Sequence, residues 1–169
     1  MPDTTPEQKT RKPFIETIAE LLTNDEWEFH RGGKDGNALY AYVRGDRATY
    51  RWRFVVEEED ALVTFLVFGP TEVPDDARPQ VLELLNLMNS RYMIGNFELN
   101  VAQREVIFRV GYDLEDGALS SQMIHNMMRA SVSAYDKIFP ALMAVCYGGA
   151  SAASALVSAG GKDSDNAGS

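Results

Sequence analysis

The stretch that most constrains this chain is ALVTFLVFG, residues 61–69. It is apolar at nearly every position, without alternation. A strand of that kind has no face for water, so it must lie deep in a sheet or be covered on both faces. Gly69-Pro70 reads as the break that ends it. The acidic lead-in TEVPDDA follows, then a leucine-rich helix, QVLELLNLMNSRY, and MIGNFEL opens a new strand. The flanking elements are therefore expected to cover the central strand.

Upstream, residues 1–9 are polar, carry two prolines and read as disordered. A first helix is expected from Thr10 as N-cap, with Pro13 at the third helical position, where its missing N–H costs nothing. Phe14, Ile18 and Leu21 then line one face. Residues 26–31 form a short strand with Trp27 and Phe29, and GGKDGN is a turn. Residues 38–44 alternate, Gly45-Asp46 turns the chain, and residues 48–57 are the clearest strand. There Tyr50, Trp52, Phe54 and Val56 point one way, and Thr49, Arg51, Arg53 and Val55 the other.

The second helix has Asp76 as N-cap, Pro79 at its third position and a core stripe of Val81, Leu85, Met88 and Tyr92. Leu84 flanks that stripe and Leu87 lies further out, so the apolar surface is wider than one interface needs. Strands follow over residues 96–101 and 105–112. The last helix, residues 121–147, carries Ile124, Met128, Ser131, Tyr135, Ile138, Leu142 and Val145 at steps of four and three, with Pro140 on the opposite, polar side. Gly148-Gly149 stops it, and the Ala/Ser/Gly-rich tail, residues 150–169, reads as disordered. The expected architecture is α+β: a twisted antiparallel sheet of five or six strands carrying three helices, in the order α-β-β-β-β-α-β-β-α.

That order, together with GPTEVP (residues 69–74), VLELLNLMN (81–89), IGNFEL (94–99), VIFRVGYDLEDGALS (106–120) and FPALMAVCYGG (139–149), resembles the YbjN domain family, bacterial proteins labelled sensory transduction regulators. The likeness runs in order through residues 14–149, within a single YbjN-like domain expected over residues 10–149. Pro79 and the tail depart from the family pattern. The resemblance implies a fold like that of type III secretion chaperones, usually dimeric, and protein binding or regulation. It implies no catalytic residues.

The residues point the same way. A net charge of −9 argues against broad neutralisation of a nucleic-acid backbone. One cysteine, Cys146, permits no internal disulfide and fits a reducing cytoplasm. No apolar run approaches the ~20 residues of a membrane span. His30 and His125 stand on different elements, so no metal site or cofactor is expected. No nucleophile or base is positioned, and with what the resemblance implies the chain is expected to be a non-enzymatic protein-binding module, chaperone-like or regulatory, acting as a homodimer that holds a partner protein. Leu84 and Leu87 are the candidate dimer contacts. Met123 and Met143, on the flanks of the last helix, and Arg51 and Arg53 are the candidate partner contacts, because methionine adapts to irregular partners. The alternative is a nucleic-acid or nucleoprotein accessory role through Arg44, Arg47, Arg51 and Arg53, an aromatic and basic strand surface.

Overall fold

A computed structural model describes residues 12–115 and 117–160. Helix α1 (Phe14–Asn24) leads into β1 (His30–Gly32), a 3₁₀ turn (Lys34–Gly36), β2 (Ala38–Arg44), β3 (Thr49–Glu57) and β4 (Leu62–Glu72). Helix α2 (Arg78–Asn89), β5 (Asn96–Asn100), β6 (Glu105–Asp113), α3 (Ser121–Gly148) and α4 (Ala152–Gly160) complete it. The strands form one antiparallel sheet ordered β1-β2-β3-β4-β6-β5, twisted and open. β4 is a central strand, as its composition requires, paired to β3 on one side and β6 on the other.

The helices cover one face only. Tyr50, Trp52, Phe54 and Val56 are buried beneath them with Val63, Phe65, Val67, Val106 and Phe108. The α3 stripe expected from Ile124 to Val145 is buried throughout. The other face of β4 is sheltered by its own sheet instead. Leu66, Phe68 and Ile107 cluster there with Val55 against them, and the Arg51 guanidinium lies 4.4 Å from the centroid of the Phe68 ring. Arg51 also donates to both carboxylate oxygens of Glu105, at 2.8 and 3.0 Å. Long arginine stems do the work that a second helical layer would do.

Several local expectations are corrected. Thr10 lies outside the described residues, and α1 begins at Phe14 with Pro13 as the preceding cap residue. Its first free N–H groups are met from a distance: Glu58, in the β3–β4 turn, accepts from Phe14 N (3.0 Å) and Ile15 N (2.9 Å). α1 closes with Trp27 N on Leu22 O (2.8 Å) and Glu26 N on Thr23 O (3.1 Å), with Glu26 left-handed at φ 59°. That turn consumes the start of the expected strand, leaving three residues for β1.

β4 does not break at Gly69-Pro70 but runs on to Glu72, with a shift of register against β6. Gly69 is there for close approach, since a Cβ would overlap the Tyr135 hydroxyl of α3. Tyr135 then donates to Val106 O at 3.0 Å. Asp76 does not cap α2; Ala77 precedes the first turn, and Arg78 pairs with Asp75. Residues 152–160 of the tail expected to be disordered fold into α4, and residues 161–169 lie outside the described residues. Ser151 caps it, accepting from Ser154 N at 3.2 Å, and Ala152 N donates to Gln80 Oε1 of α2 at 2.8 Å. The small residues Ala152 and Ala155 let α4 sit close against α2 and α3.

Candidate functional site

Residues on the far end of the sheet build a cleft of about 880 Å³. It opens between the β2–β3 hairpin, the turn after α1, and helices α3 and α4. Its floor is apolar: Trp27 and Trp52 meet edge to face at 6.0 Å, with Phe65 and Met128 beside them. Trp52 is wholly buried, and its indole N–H has no hydrogen-bond partner among the described residues. Pro140 lines the cleft too, which corrects its expected place on a solvated side of α3.

The rim is cationic, on a chain of net charge −9. Arg44, Arg47, Arg129 and Lys137 line it, and none has a carboxylate partner among the described residues. Elsewhere most cations are paired, as Arg51 is with Glu105 and Arg109 with Glu98 at 2.7 Å, while Lys34, Arg53 and Arg91 have no carboxylate partner among the described residues. Of the two rim carboxylates, Asp136 is committed to the hairpin. It accepts from Tyr50 Oη (2.6 Å), Asp46 N (2.8 Å) and Arg47 N (3.0 Å), so α3 grips the turn. Burial, then this bond to Asp136, raises the Tyr50 pKa and keeps the phenol protonated. His125 Nε2 stands 2.6 Å from Asp25 Oδ2 and ties α3 to the end of α1.

The cleft adjoins a free strand edge. β2 pairs with β1 only as far as Tyr40, whereas its pairing with β3 runs on to Arg44. The bonds from Gly45 N to Ala48 O (2.8 Å) and from Val56 N to Asn37 O (2.9 Å) fix the alternation. Odd-numbered residues of β2 turn their backbone groups to β3, so those of Tyr42 and Arg44 turn outward. No described residue bonds to that outward edge. The opposite edge is capped at one residue: Asn89 of α2 takes Phe97 N on Oδ1 (2.7 Å) and donates Nδ2 to Phe97 O (3.0 Å), like a one-residue strand.

The sequence candidates fall in different places. Leu84 is 0 % exposed, so it offers no surface for a second copy. Leu87 is half-buried at the edge of the core. Met123 and Met143 are half-buried on α3, packed against the main core. Arg51 and Arg53 lie on the helix-free face of the sheet, away from those methionines, and both stand over Phe68. The four arginines of the nucleic-acid alternative are split, with Arg44 and Arg47 on the cleft and Arg51 tied to Glu105. Cys146 is buried, and burial pushes its thiol from 9.0 up to about 11. Glu105 is raised by burial, with Arg51 opposing. Sequence reasoning missed the cleft. The available signal was Val132, Pro140 and Ala144, apolar residues interleaved with Arg129, Asp136 and Lys137 on the supposedly polar side of α3.

Comparison with known proteins follows this geometry. The family model YbjN, described as "Putative bacterial sensory transduction regulator", matches residues 15–144. A crystal structure of YbjN from E. coli superposes with a TM-score of 0.59 at 15% identity, over 78% of this chain and 91% of that one. The structure of the HopA1–SchA chaperone–effector complex gives a TM-score of 0.51 at 12% identity, over 72% and 89%. At such identities the likeness is one of fold. No curated protein sequence matches. Among the described residues, no helix is long and apolar enough to cross a membrane, and no group of three or more His, Cys, Asp or Glu is placed to hold a metal ion.

Proposed function

The chain belongs to the YbjN family, and on that premise we propose that it is a non-enzymatic protein-binding module, chaperone-like or regulatory, that holds an extended segment of a partner protein along β2. The observation that carries this is the free edge at Tyr42 and Arg44, beside a cleft with an apolar floor. An extended peptide gains affinity by adding main-chain bonds to such an edge, and specificity from pockets beside it. The fold shared with a chaperone–effector complex supports the same reading. A cytoplasmic site of action, in keeping with the lone Cys146, and a homodimer whose contact includes Leu87 belong to the proposal.

Tyr42→Pro tests it. The Tyr42 N–H points outward, so proline there removes an edge donor without cutting the β2–β3 ladder. Proteins captured from native lysate by the wild type and by Tyr42→Pro are compared by mass spectrometry, with thermal melting as the check on folding. We expect a partner that is enriched on the wild type and lost from the variant. Identical captures from two folded proteins would sink strand addition at β2.

A further inference from the structure

We propose that the cleft over Trp52 is a ligand site for a small amphipathic carboxylate, an aliphatic or aromatic body carrying one anionic head. This goes beyond partner binding, because it concerns the interior of the cleft and not the strand edge at its mouth.

Three observations carry it. The cleft volume, about 880 Å³, falls within the range of small-molecule sites, which are mostly apolar with few polar groups. The partly exposed apolar lining, Trp27, Val43, Val132, Pro140 and Ala144, suits a hydrocarbon body, which would be shielded from water there. The rim supplies Arg44, Arg47, Arg129 and Lys137 without carboxylate partners among the described residues. Two rim carboxylates, Asp46 and Asp136, oppose these four cations, and Asp136 already accepts three hydrogen bonds from the hairpin. A cationic rim on a chain of net charge −9 attracts an anion locally that the molecule as a whole repels.

The chain has two tryptophans, and both line the cleft, so intrinsic fluorescence reports its occupancy directly. Dodecanoate, kept below its micelle concentration, is titrated against dodecyltrimethylammonium of equal chain length. A saturable spectral shift is expected with dodecanoate, with a dissociation constant on the order of micromolar. The cationic detergent is expected to bind at least roughly tenfold more weakly. Arg47→Glu/Lys137→Glu, both exposed positions, is expected to weaken dodecanoate roughly tenfold. Val132→Phe, which fills the cleft, is expected to weaken it by a similar factor; if that variant misfolds, the surface pair decides. Tyr42→Pro is expected to bind dodecanoate as the wild type does. Binding of dodecanoate by Tyr42→Pro together with loss of a protein partner separates the two proposals. Absence of a saturable shift, equal binding of the two detergents, or indifference to the Arg47/Lys137 reversal would each overturn the ligand site.

Discussion

Single residues do different work here from what their type suggests. Gly69 looks like a strand breaker, yet it sits within β4 because Tyr135 needs the space of its missing side chain. Glu58 looks like one acid in a solvated run, yet its carboxylate caps α1 across the fold at 2.9 and 3.0 Å. It satisfies two orphan N–H groups and stands at the positive end of the helix dipole. Glu58→Ala should therefore destabilise the protein by about 1 kcal/mol, the usual worth of an N-cap. For a chain of this size that is a fall of roughly 3 °C in Tm. Glu58→Gln, which keeps one acceptor, should recover part of the loss. Calorimetric melting of the three proteins checks this, and equal midpoints would remove the cap from the account.

At the scale of elements, α4 is the largest departure from expectation. Its sequence, AASALVSAG, is small and weakly patterned, and small residues bury little area on their own. Docking gives it value: Gln80 holds its first N–H, Ala152 and Ala155 seat against α2 and α3, and its far side closes one wall of the cleft. Ala155→Asp would place a carboxylate at a position 3 % exposed, which costs several kcal/mol or forces α4 off its seat. Hydrogen exchange should then rise sharply over residues 152–160 while the sheet stays protected. Protection of α4 equal to the wild type would contradict this packing. The two sheet edges differ: Asn89 caps β5 at Phe97, and β1 is too short to close β2.

At the scale of the molecule, helices fill one side of a six-stranded sheet, and a paired-charge surface finishes the other. Self-association is therefore sought on the helical side. Leu84 has been drawn into the core, so Leu87 carries the dimer proposal. Light scattering should find the wild type dimeric and Leu87→Asp shifted to monomer with little loss of folding. A monomeric wild type, or an unshifted variant, would end that assignment.

The strands from β2 onward, the α3 stripe, the α2 stripe at Val81, Leu85 and Met88 though not at Tyr92, which lies beyond the helix, and the place of β4 in mid-sheet were legible because they depend on local periodicity. Alternation in Tyr50, Trp52, Phe54 and Val56 sets a buried face wherever the strand lies, and a strand without a polar face must lie inside. The cleft and the free β2 edge were not legible. They depend on which rows of side chains are brought together across 80 or 90 positions of sequence, as Asp136 is brought to Tyr50 and the hairpin. Leu84 and Leu87 show the division within one helix. Periodicity marked both as apolar, and only the packing of α2 in the folded chain put one inside and left the other at the margin. Hydrophobic pattern states that a side chain must leave water; the packing partner that removes it is a property of the folded chain alone.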